Sequence, residues 1–140
     1  MISTYTPSKR IILCIDEDVS ILRYEKALLE RSGYMVLTAV SPKQALRLVT
    51  MCDCDAVLLD YEILEMSGHE VALEIKLVRP EVKIILIADH EVPTQTLAVV
   101  DAFAPRVEES RQLLRMISEI CSRGSDTRHR QGGIQREDRQ

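Results

Sequence analysis

Acidic side chains fall at two places where they could act together. Asp16, Glu17 and Asp18 follow directly on the apolar run Ile11-Ile12-Leu13-Cys14-Ile15, and Asp60 closes Ala56-Val57-Leu58-Leu59, with Glu62 and Glu65 shortly after. In an open parallel sheet, ligands collect outside the carboxyl ends of the strands. If these two runs are neighbouring strands, at least three carboxylates meet in one small cleft. Carboxylates gathered in this way repel one another until a proton or a cation neutralises them. A hard divalent cation answers that need, and Mg²⁺ is commonly held by one or two carboxylates together with phosphate oxygens. The chemistry expected is therefore a cation-assisted reaction of a phosphate group. The plainer alternative is that these acids end strands and cap helices. For Asp18, which precedes the helical pattern starting at Val19, the capping role is the better account.

The elements that must position these acids alternate in type. Strand-sized apolar runs occur at residues 11–15, 34–39, 56–59 and 84–88, with a weaker one at 102–104. Between them lie stretches with apolar residues three and four apart, predicting helices over 19–31, 42–51, 68–78 and 108–122. The first buries Ile21, Leu22, Ala27, Leu28 and Leu29 and ends before Gly33; the second starts from Ser41 and Pro42; Pro80 stops the third. Pro93 can start only a short helix, through about residue 100. This alternation predicts an α/β fold, and continuous apolar strands such as Ile84-Ile85-Leu86-Ile87-Ala88 fit a parallel sheet covered on both faces.

The chain has 140 residues and a formal net charge of −4, enough for one domain with its own core. Residues 122–140 hold a net of +2, which leaves −6 on the rest. An acidic body argues against direct DNA binding, which needs a basic stripe. No apolar run is long enough to span a bilayer, and residues 1–10 hold no signal-peptide core. The expectation is a cytoplasmic protein away from membranes. Cys14, Cys52, Cys54 and Cys121 follow no disulfide framework and read as reduced thiols; Cys52-Asp53-Cys54 lacks a second pair to complete a metal site. His69 and His90 read as solvated loop-side residues. From residue 123 the chain holds three of its five glycines and one aliphatic residue, Ile134, and reads as a disordered polar tail. The expected division is an extension over 1–9, a domain over 10–122 and the tail over 123–140.

In order and spacing, these pieces resemble the response-regulator receiver domain, the phosphoacceptor module of two-component signalling. The resemblance rests on the strand ending in Asp16-Glu17-Asp18, on Gly33-Tyr34-x-Val36-x-x-Ala39, on Ala45-Leu46, on Asp55-Ala56-Val57-Leu58-Leu59-Asp60, and on Gly68 eight residues beyond Asp60. It implies a flavodoxin-like, doubly wound five-stranded sheet of order 2-1-3-4-5 with helices on both faces. It also implies that Asp60 receives a phosphoryl group, and that Asp16, Glu17, Asp60 and the backbone carbonyl of Glu62 hold Mg²⁺. Arg106 falls where the family has a phosphate-facing lysine, and Phe103 where an aromatic residue reports the switched state. The implied partner is a sensor histidine kinase or a histidine phosphotransfer protein, and the module is not an enzyme beyond accepting and slowly losing its own phosphoryl group.

The chain departs from the family pattern at four points. Ala88 stands where a Thr or Ser hydroxyl is usual, Arg106 replaces lysine, Ile63-Leu64 replaces Met-Pro, and the stretch from Ala88 to Arg106 is about a helical turn short, so the fourth helix is shortened. The resulting expectation is a stand-alone receiver in a phosphorelay with an altered switch and no output domain of its own. Two alternatives stand beside it. One is a pseudo-receiver that binds proteins without phosphorylation; the other is a small Mg²⁺-dependent phosphotransfer enzyme with an aspartyl-phosphate intermediate, for which no substrate-covering insertion is visible.

Overall fold

The computed structural model describes residues 9–63, 66–106 and 110–134, with side chains described as far as Ser122. Most of the expected extension, Leu64, Glu65, the expected helix start at Glu108 and the end of the tail lie outside the described residues. Strands and helices alternate: β1 (Ile11–Ile15), α1 (Val19–Arg31), β2 (Met35–Ala39), α2 (Pro42–Met51), β3 (Ala56–Asp60), α3 (Gly68–Val78), β4 (Lys83–Ala88), α4 (Thr94–Val99), β5 (Ala102–Pro105) and α5 (Ser110–Ile134). The strands form one parallel sheet in the order β2-β1-β3-β4-β5. The fold is therefore the doubly wound one expected, including the shortened fourth helix.

Helix starts follow side-chain chemistry. Asp18 Oδ1 accepts the N–H groups of Ser20 and Ile21, at 2.9 and 3.4 Å. Ser41 caps α2 with Pro42 in its first turn, and Ser67 and Glu70 form a reciprocal capping box on α3. After α1, Gly33 takes φ +98°, a left-handed conformation that other residues adopt only with strain.

Side chains alternate across the strands, so the sheet has a core on each face. Leu13, Ile15, Val57, Leu59, Ile84 and Leu86 pack toward α2 and α3, while Ile12, Cys14, Leu58, Ile85 and Ile87 pack toward α1 and α5. All of β3 is buried, as a central strand covered on both faces should be. Two details depart from expectation. In α1 the buried face holds Glu25 with Leu22, Leu28 and Leu29, and Ala27 is exposed. In α5 the helix continues past residue 122 to Ile134, where composition had suggested disorder. Once the docked half of a helix is nucleated, further turns add local hydrogen bonds and need no burial of their own.

The register places the chemistry. Ile15 pairs with Leu59, so the next residues, Asp16 and Asp60, end adjacent strands side by side. Ala88 pairs with Pro105, and the N–H of Arg106 donates to the Ala88 carbonyl at 2.9 Å, bringing Arg106 to the same edge. At the opposite end, Asp101 joins β4, β5 and α3. Its Oδ2 accepts the Ile84 N–H and the Lys76 ammonium, each at 2.8 Å, and Lys76 also donates to the Val82 carbonyl at 2.7 Å. Replacing Asp101 by Ala leaves the Ile84 N–H without its acceptor and takes the carboxylate from the Lys76 ammonium, and is expected to cost about 1–3 kcal/mol in urea unfolding. Breaking the exposed Lys26–Glu30 pair on α1 by Lys26→Ala should cost at most about 0.5 kcal/mol in the same assay.

Candidate functional site

Asp16 and Asp60 are almost wholly buried, at 3 % and 5 % exposure. Each is held by the turn that follows it. Asp16 Oδ1 accepts the Asp18 N–H at 2.9 Å, and Asp60 Oδ1 accepts the Glu62 N–H at 3.3 Å. The loop after Asp60 is fastened on both sides: the Tyr61 N–H donates to the Ile87 carbonyl at 2.9 Å and the Tyr61 carbonyl accepts the Gly68 N–H at 3.0 Å. A Cβ at Gly68 would lie 2.7 Å from the Tyr61 Cα, so only glycine lets α3 start this close to the loop. That is the physical reason for a glycine eight residues beyond Asp60.

Arg106 reaches over both acids. Its Nη2 hydrogen-bonds Asp60 Oδ1, its Nη1 lies 3.6 Å from Asp16 Oδ2, and its Nε lies 3.0 Å from Asp89 Oδ1. Three carboxylates thus share one guanidinium, which leaves the group short of positive charge. Burial, and then the Asp16 carboxylate, push Asp60 up to about 6 while Arg106 pulls the other way; Asp16 is also raised, mainly by burial. Below the pair, on α1, burial and the Asp16 carboxylate push Glu25 up to about 7.

The acids expected to gather are partly gathered. Among the described residues no three His, Cys, Asp or Glu side chains form a metal cluster, so the cleft holds two buried carboxylates rather than three. Glu17, next along the chain from Asp16, is exposed. The two buried carboxylates, undercompensated in charge, and the Glu62 carbonyl are all hard oxygen donors, a set that suits Mg²⁺. Ala88 is fully buried and its side chain offers no hydrogen-bond donor, while Phe103 is half-buried on β5 and packs against the α2–α3 core.

Sequence reasoning missed four participants. Asp89 follows β4 as Asp16 follows β1, so the strand-end argument would have found it. Glu25 interrupts an apolar helix stripe three residues from Leu22 and three from Leu28. The two histidines are partnered rather than simply solvated: His90 Nε2 lies 2.5 Å from Glu62 Oε2, bridging the loops after β3 and β4, and His69 Nδ1 lies 3.1 Å from Thr96 Oγ1, joining α3 to α4. Only the tertiary structure brings those pairs together.

A family model described as "Response regulator receiver domain" matches residues 12–107. The transcriptional regulatory protein ZraR of Escherichia coli (strain K12) is 37% identical over 79 residues, which is 56% of this chain and 18% of that protein. The chain therefore spans under a quarter of the curated relatives it matches. A CheY-like response regulator receiver domain protein from Methanospirillum hungatei JF-1 superposes with TM-score 0.81 and 26% identity, covering 86% of this chain and 99% of that one. The response regulator TrrA of Thermotoga maritima, solved with Mg²⁺-BeF, gives TM-score 0.75 and 26% identity over 79% of this chain and 98% of that one.

The raised acids make stability depend on pH. A carboxyl group whose folded pKa exceeds its unfolded value favours the folded state most below the unfolded pKa, and that contribution is lost as pH rises through the folded one. In metal-free buffer, unfolding free energy is expected to fall between about pH 4 and pH 7. Asp60→Asn should flatten the lower part of that window, and Glu25→Gln the upper part, in urea titrations across pH.

Proposed function

The chain belongs to the response regulator receiver domain family, and from that membership and the geometry at Asp60 we propose that it accepts a phosphoryl group on Asp60. The donor is a phosphohistidine on a sensor histidine kinase or a histidine phosphotransfer protein. The observation behind this reading is the buried Asp16–Asp60 pair at the ends of adjacent strands with one guanidinium against it. Asp16, Glu17, Asp60 and the Glu62 carbonyl are the ligands proposed for Mg²⁺, which when bound supplies the charge that lets an anion approach an anion.

The remaining work falls to the chain's own groups. An Asp60 oxygen attacks phosphorus; the new P–O bond forms as the P–N bond to the donor imidazole breaks. The electron pair goes to the ring nitrogen, which takes a proton, and the product is an acyl phosphate. The turn hydrogen bond from Glu62 fixes the carboxylate plane. Arg106, already against Asp60, presents a planar fork of donors to the phosphoryl oxygens. The Ala88 side chain cannot donate to those oxygens, so the usual pull of the β4–α4 loop toward the phosphoryl group has no hydroxyl to act through.

That missing hydroxyl favours one second reading, a module that binds proteins without being phosphorylated. Acetyl phosphate with Mg²⁺ separates the two. The expected result is an intact-mass increase of one phosphoryl group that Asp60→Ala abolishes. No increase, or one that survives Asp60→Ala, overturns the phosphoacceptor reading. With beryllofluoride and Mg²⁺, the shift of the Phe103 ring resonances should be larger in Ala88→Thr than in the parent chain.

A further inference from the structure

Glu25 has no role in the site as described, yet it is the third most buried acid in the described chain after Asp16 and Asp60, at 7 % exposure. Among the described residues it forms no ion pair, and it is buried beside the Cys14 thiol of β1. Burying a carboxyl group against a thiol is costly. Glu25 also lines a cavity of about 260 Å³ between α1 and the β5–α5 side of the sheet, with Ile21, Ile87, Ala104, Leu113 and Arg106 among its walls. At ~30 Å³ per water that space would hold several waters, so it has room for a guanidinium group. Arg106 therefore borders two spaces: the acidic cleft, where it now sits, and a largely apolar cavity whose buried acid is Glu25.

We propose that Glu25 is a second berth for Arg106: when a divalent cation takes the oxygens of Asp16 and Asp60, the guanidinium crosses the cavity and pairs with Glu25. This rests on the reading that Asp16 and Asp60 hold Mg²⁺. A divalent ion and a guanidinium compete for the same carboxylate oxygens and repel each other at close range. Arg106 cannot shed its charge to resolve the conflict. Asp89, its other partner, is 63 % exposed and holds it weakly in high dielectric. Glu25 offers a shielded carboxylate on a wall that Arg106 already shares, and the pair formed there would satisfy both buried groups. Glu25 is thus a positioning residue: it sets how readily the cleft exchanges its built-in cation for a metal ion.

The test is Mg²⁺ alone, followed by calorimetry and by the Arg106 Nε–Hε resonance. In the parent chain that resonance is expected to shift on adding Mg²⁺. In the isosteric Glu25→Gln the shift should be lost and the Mg²⁺ Kd raised by about fivefold or more. Ala104→Val keeps the charge but narrows the cavity, and should weaken Mg²⁺ binding likewise. Amide spectra of the strands check that both variants are folded. A Glu25→Gln chain that binds Mg²⁺ within about twofold of the parent, with the same Arg106 shift, overturns the proposal and leaves the metal reading intact. A parent chain that binds no Mg²⁺ overturns both.

Discussion

Two carboxylates buried side by side are tolerable here because one guanidinium lies against both. At about 4 Å, like charges repel by about 4 kcal/mol in an effective dielectric near 20, and an opposite charge returns a similar amount to each. Arg106 therefore balances the repulsion among Asp16, Asp60 and Asp89, and what it leaves is the cost of taking two of those carboxylates out of water. Burial, joined at Asp60 by the Asp16 carboxylate, still raises the pKa values of Asp60 and Asp16 against the pull of Arg106. Most of what surrounds the carboxyl edge of the sheet can be understood as serving this arrangement. The β1–β3 register sets the acids level, the β4–β5 register delivers Arg106, and Gly68 lets α3 seat the loop that holds Asp60.

The same interaction ties the site to the fold. Arg106 is anchored through its own backbone to the Ala88 carbonyl, so its side chain is aimed from the last rung of the β4–β5 ladder. Asp101 and Lys76 lock the other end of that ladder. Between these fixed ends, β5 is short and its Phe103 only half-buried.

Much of the architecture was legible because it depends on local chemistry. Asp18 and Ser41 announce helix starts, Gly33 and Pro80 announce ends, and continuous apolar runs announce strands buried on both faces. The strand-end rule found Asp16 and Asp60 for the same reason: it needs only the position of a polar residue after an apolar run. What could not be read is what depends on reach across the fold. Nothing local tells that Arg106 spans three acids, that Glu62 meets His90, or that a glutamate on the inner face of α1 faces a cavity rather than solvent. Burial also differs between consecutive acids in a way the strand-end rule does not resolve: Asp16 is buried and Glu17, next to it, is exposed.

The departures from the family pattern share one physical consequence. A hydroxyl at position 88 would couple β4 to whatever sits on Asp60 through a hydrogen bond, a short-range and directional link. With alanine there, and with α4 reduced to six residues and joined to α3 through His69 and Thr96, that link is absent and the segment it would move is held elsewhere. Charge remains as the means of sensing what occupies Asp60, and Arg106 is the group that feels it most directly. A change at Asp60 acts, on the proposed reading, through Arg106 on the β4–β5 end that holds its backbone, on Asp89 after β4 and on the cavity beside α1 that its side chain borders. On the proposed reading, the replacement of lysine by arginine and the loss of the hydroxyl are two parts of one redesign, in which a longer, planar, permanently charged side chain takes over the signal that a hydroxyl would have relayed.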